Sequence, residues 1–86
     1  VTPDQALLVI QDWARFPHAI HFTPHAVQRM RQRYVKKSDV LHALRNADSC
    51  EPAVQGRWKV TGPDEDADDL TVIVFFDFDL LVITVY

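Results

Sequence analysis

Leu70-Thr71-Val72-Ile73-Val74-Phe75-Phe76-Asp77-Phe78-Asp79-Leu80-Leu81-Val82-Ile83-Thr84-Val85-Tyr86 is a β-branched, aromatic run broken once by two acids around Phe78. Its composition favours strand over helix, and Asp77-Phe78-Asp79 is a hairpin loop, so two antiparallel strands are expected here. At period two, Leu70, Val72, Val74 and Phe76 point one way and Ile73 and Phe75 the other. In the second strand Leu81, Ile83 and Val85 oppose Leu80 and Val82. Both faces are therefore apolar, and helices can cover only one of them. The second face must curl on itself or meet a partner, and a homodimer is one way to cover it.

Working back, Trp58-Lys59-Val60-Thr61 follows a turn at Gly56 and reads as a third strand, with Arg57, Lys59 and Thr61 along one face. Between it and Leu70, Asp64, Asp66 and Asp68 are spaced as in a calcium loop. Asp69 stands where such a loop needs Gly and Phe75 where it needs Glu, so a solvated acidic hairpin loop is the better reading.

The first half of the chain has helical periodicity. Thr2 and Gln5 form a capping box around Pro3, followed by an apolar stripe of Ala6, Leu7, Ile10, Trp13 and Ala14 that should end near Phe16-Pro17. His18 to Phe22 is a one-pair strand or an extended connector. Thr23-Pro24 opens a second helix, and Ser38-Asp39 is expected to cap a third, with Val40, Leu41, Leu44 and Ala47 inward. The expected fold is a single α+β domain over residues 1–86, with three helices on a small, mainly antiparallel three- or four-stranded sheet.

The second helix carries the chemistry. Val27, Met30 and Tyr34 share one side, while His25, Arg29 and Arg33 recur at i, i+4 and i+8 on another. An imidazole moves protons near neutral pH, and guanidinium groups grip phosphoryl oxygens through paired hydrogen bonds. The helix N-terminus adds partial positive charge beside His25. The simpler alternative is a solvated charged face. Lys59 and Arg57 would extend the cationic group if their strand lies beside this helix.

The formal net charge of −3 argues against a general nucleic-acid binder, but the charge is divided. Residues 1–46 hold seven Lys/Arg against three Asp, whereas residues 47–86 hold two against nine Asp/Glu. Cys50 is the single cysteine, so it forms no internal disulfide and anchors no zinc ribbon. His18, His21 and His25 lack a further ligand, and the reading calls for no metal and no cofactor. No apolar run reaches membrane-spanning length, so no membrane is expected as a partner. The chain starts at Val1 without Met, which suggests a piece of something longer.

His25 to Arg33, then Ser38-Asp39-Val40, Gly56 to Gly62, and Leu80 to Tyr86 together resemble a small bacterial family catalogued as domain of unknown function 4258, over roughly residues 20 to 86. That family is similar in layout to the BrnT and RelE/ParE toxins, many of which cut RNA. The resemblance implies a metal-independent ribonuclease with RNA as substrate and catalytic His25, Arg29 and Arg33. It adds Thr84 and Tyr86 on the last strand as substrate-binding candidates. It also implies a cognate antitoxin or immunity protein as partner. Action would be cytoplasmic, with delivery as the tip of a larger secreted protein as a second route. The alternative is a non-catalytic interaction module.

Overall fold

The computed structural model describes all residues from Val1 to Tyr86. Helix α1 spans Pro3–Trp13 and starts as its sequence dictates: the Thr2 hydroxyl accepts from Gln5 N–H at 3.2 Å, and the Gln5 side chain accepts from Thr2 N–H at 2.9 Å. A short turn at Pro17–Ala19 leads into strand β1, Ile20–Phe22. Helices α2 (Pro24–Arg33) and α3 (Lys37–Arg45) follow, then strands β2 (Ser49–Pro52), β3 (Trp58–Pro63), β4 (Asp69–Phe76) and β5 (Leu80–Val85). No helix is long and apolar enough to cross a membrane.

The strands form one sheet in the order β1-β5-β4-β3-β2, antiparallel except for the parallel β1–β5 pair. The α+β class and the three helices agree with expectation, but the sheet has five strands rather than three or four. The two additional strands lie at the edges. Within His18 to Phe22 the one-pair strand expected as an alternative to a connector is formed as β1, whereas Ser49-Cys50-Glu51-Pro52 in β2 is too polar to show a period of its own. They become strands by pairing with β5 and β3, partners distant in sequence.

The helices pack on one face. Ile10, Val40, Leu44, Val60, Val72, Val74, Leu80, Val82 and Val85 are fully buried there. Gly62 lets α3 approach the sheet: a Cβ at this position would lie 2.2 Å from the Ala43 carbonyl oxygen and 2.9 Å from Ala47 Cα. Helix α3 also corrects an expectation, because its cap position is Lys36 and not Ser38. Asp39 reaches back from the third helical position, accepting from Lys36 N–H at 3.0 Å and from Glu65 N–H at 3.1 Å. One carboxylate thus caps the helix and tethers the acidic β3–β4 loop. Asp39 is only 6% exposed, yet these backbone donors hold its pKa below the ordinary 3.8 against the opposing cost of burial. Ser38 instead donates to Glu65 at 2.5 Å.

A second correction concerns β5. Ile73 pairs with Thr84 but Val74 pairs with Val82, so Ile83 is an extra residue in a β-bulge. Strict alternation would turn Val82 and Val85 to opposite faces. The bulge turns both into the core, where neither is exposed. Thr84 consequently joins Ile73 on the face away from the helices, and Tyr86 continues the ladder by donating its N–H to Thr71 at 2.9 Å. That outer face keeps an apolar centre of Ile73, Phe75 and Leu81, with Phe75 37% exposed, between Thr61, Thr71 and Lys59.

Candidate functional site

Thr23 positions α2. Its N–H donates to Val82 O at 3.0 Å, its hydroxyl donates to Ile83 O at 2.8 Å, and the same oxygen accepts from Ala26 N–H at 3.0 Å. The helix cap is therefore also the bolt that fastens α2 to the bulged part of β5. Ala26 and Met30 face the core, and His25, Arg29 and Arg33 are left on the outer side.

Each of the three has a different environment. His25 is exposed in the first turn and makes no hydrogen bond or ion pair. Arg29 is half-buried, and its Nε donates to Val85 O at 3.4 Å. Arg33 is exposed near the last turn and also lacks an acidic partner. Four-residue steps along an α-helix advance about 6 Å each, so the three side chains form a row about 12 Å long at the backbone. The catalytic reading of these residues expects them to converge in one shared hollow, and this is not what is found: no hollow encloses all three, and the arrangement is a track along the helix.

The sheet contributes the other candidates. Thr84 Oγ1 donates to Val85 O at 3.4 Å, the same carbonyl that Arg29 reaches. Tyr86, 51% exposed, lines a shallow hollow of about 280 Å³ with Lys59 and Thr71. Arg29, Thr84, Tyr86 and Lys59 thus follow one another around the end of β5. Arg57 precedes β3 and does not line this hollow. Thr71 escaped sequence reading. An alternating Thr in an apolar strand gives no signal until its neighbours across the ladder are known.

The remaining reactive groups are engaged elsewhere. His21 Nε2 lies 3.2 Å from an Asp79 carboxylate oxygen. His42 Nδ1 lies 2.9 Å from Pro63 O, and since a carbonyl only accepts, that nitrogen carries a proton. Burial, reinforced by Glu51, pushes the Cys50 thiol above its ordinary pKa and makes it a poor nucleophile. The acidic loop is folded on itself, with Asp64 Oδ1 accepting from Asp66 N–H at 2.8 Å and Asp68 N–H at 3.0 Å. A larger hollow of about 330 Å³ lies between α1 and α3, lined by Leu8, Gln11, Asp12, Arg15 and Arg45. Arg15 there is paired with Asp12 at 3.7 Å and Gln11 donates to Ala47 O, and no imidazole or amine faces it.

No curated protein and no solved structure matches the chain. The family described as Domain of unknown function (DUF4258) matches residues 22–86, a stretch that begins at the end of β1 and takes in α2, α3 and every later strand. It leaves out α1, which carries none of the candidate site. With three-quarters of its length matched, including the whole α2–β5 surface, the chain belongs to the DUF4258 family.

Proposed function

We propose that this domain is a toxin-like ribonuclease that cleaves RNA through attack of a 2′-hydroxyl, without need of a metal. The observation that carries the reading is the shared Val85 carbonyl, which brings Arg29 of α2 and Thr84 of β5 together. His25 stands one helical turn before Arg29, and Tyr86 and Lys59 line a hollow that follows Val85 at the end of β5. His25 removes the proton from the 2′-hydroxyl, and the oxygen attacks the adjacent phosphorus. The bond to the 5′-oxygen breaks, leaving a 2′,3′-cyclic phosphate, and the departing oxygen takes up a proton from the protonated imidazole or water. The free part of the Arg29 guanidinium, one turn from His25, holds the non-bridging oxygens as negative charge builds on them, and Arg33, a further turn along the track, holds the adjoining phosphate. Lys59, Thr71 and Tyr86 form the neighbouring subsite for the strand. Three helices on one face of a mainly antiparallel sheet are what a nuclease laid out like the BrnT and RelE/ParE toxins would have, and on this reading an antitoxin or immunity protein would hold it in check in the cytoplasm.

One observation favours a second reading as an interaction module: on the face of the sheet away from the helices, Phe75 is exposed beside the half-buried Leu81. A single experiment separates the two. The purified domain is incubated with RNA in a chelator, and products are examined for cyclic phosphate ends. Cleavage lost in His25→Ala supports the nuclease. Intact RNA with the unaltered, folded domain overturns it in favour of the module.

A further inference from the structure

Helix α2 ends in a way that the fold does not require. Val35 N–H donates to Met30 O at 2.8 Å and Tyr34 N–H to Arg31 O at 3.4 Å, the bonding pattern of a Schellman stop. That stop needs a left-handed residue, ordinarily Gly, and here it is Tyr34 at φ 57°, ψ 37°. A bulky side chain is disfavoured in this conformation and ordinarily recovers the cost by packing. Tyr34 does not: it is 93% exposed, and its hydroxyl has no hydrogen-bond partner within the chain.

Its surroundings are cationic. Between residues 29 and 37 the chain holds Arg29, Arg31, Arg33, Lys36 and Lys37 and no acid, within a protein of net charge −3. The two ion pairs of the structure, Arg15–Asp12 and His21–Asp79, involve none of these five. Lys37 lies 5.4 Å from the centre of the Phe22 ring, and the others face solvent or the Val85 carbonyl. Favourable interaction with the helix C-terminus accounts for basic residues in the last turn of α2, but not for an aromatic ring held out among them. An exposed ring flanked along the chain by the guanidinium groups of Arg31 and Arg33, which have no acidic partner, and by Lys36, whose charge also acts on Asp39, has the parts that receive an unpaired base and its adjoining phosphates.

The geometry points to Tyr34 as a base-stacking platform for single-stranded RNA, with Arg31, Arg33 and Lys36 holding the adjoining phosphates. This rests on the nuclease reading and extends it: the strand runs past His25 along α2 and is gripped by a base at the helix end. A duplex, whose bases are already stacked, gains only the phosphate contacts. An acidic protein partner would use the cations and have no need of the ring.

The test uses a dodecamer of 2′-O-methyladenosine, which lacks the attacking hydroxyl and is bound without being cut, and the duplex it forms with 2′-O-methyluridine. Tyr34→Gly should weaken single-strand binding about tenfold, leave duplex binding unchanged, and cause no loss of thermal stability, since Gly suits the left-handed position. Tyr34→Phe should bind like the unaltered domain. Replacing both Arg31 and Arg33 with Gln should reduce the salt dependence of single-strand binding by about 1.4 in log–log slope. Cleavage of unmodified RNA is followed in parallel. If the domain cuts RNA and Tyr34→Gly binds the single strand normally, the stacking role is overturned and the nuclease reading stands. If binding depends on Tyr34 but nothing is cut, the nuclease reading is overturned and the platform stands. If neither oligonucleotide binds, the platform is overturned, and the nuclease reading stands or falls with cleavage of the unmodified RNA.

Discussion

On the covered face of the sheet, Val60, Val72, Val74, Val82 and Val85 meet α1, α2 and α3 with no solvent exposure, and Gly62 is pressed against the α3 backbone. On the outer side of α2, His25, Arg31 and Arg33 face water without an acidic partner. The first surface has no room for an added methyl group, and the second loses no packing when a side chain is replaced. Fold and proposed chemistry are therefore carried by different residues of the same helix: Ala26 and Met30 pack, while His25 and Arg33 remain available. Arg29 is the exception, joining the two through the Val85 carbonyl.

The sharpest way to break this contrast is His25→Ala. RNA cleavage should fall by about 10² to 10⁴, while the unfolding free energy stays within about 0.5 kcal/mol of the original, as for an exposed residue without partners. A parallel fall in stability would mean that His25 belongs to the fold after all. Gly62→Ala is the mirror experiment. Its added carbon cannot fit beside the Ala43 carbonyl, and chemical denaturation should show a loss of roughly 3 kcal/mol, the upper part of the range for overpacked sites. Any cleavage remaining at low temperature should keep its pH profile.

Thr23→Val tests the connection between the two surfaces. It removes the cap of α2 and the bond to Ile83 O, so a stability loss of about 1–2 kcal/mol is expected. Cleavage should weaken as well, because α2 is then held against β5 only by the backbone bond to Val82 O, by Arg29 and by packing. The smallest effect is an acid limb assigned to Asp39. Its folded pKa lies below 3.8 because of the Lys36 and Glu65 N–H donors, so near and below that value the unfolded chain binds the proton more readily. The stabilisation is present above pH 3.8 and is lost as pH falls through the folded value. Urea titrations between pH 2 and 5 should show a shallower slope for Asp39→Asn than for the unaltered protein.

Much of this was legible in the residues. The C-terminal hairpin, the three helices and the Thr2 and Thr23 caps follow from composition, period and capping chemistry, all of which act within a few positions of the chain. Edge strand β2 is hidden in the sequence because its identity comes from pairing with β3, and for His18 to Phe22 pairing with β5 decides between the one-pair strand and the extended connector. The cap of α3 was misplaced by one turn signal, since Ser38-Asp39 looks like a cap until Asp39 is seen reaching back to Lys36 and across to Glu65.

The same division holds for the candidate site. Periodicity alone puts His25, Arg29 and Arg33 in one row, because the helical repeat determines which side chains share a face. Only the tertiary structure brings one member of that row, Arg29, to the Val85 carbonyl that Thr84 also reaches. The single extra residue at Ile83 reverses the facing of everything after it in β5. A strand has a period of two, so one inserted residue exchanges its faces, and whether the insertion is absorbed as a bulge is decided by pairing with β4 and by the burial of Val85, not by the local sequence.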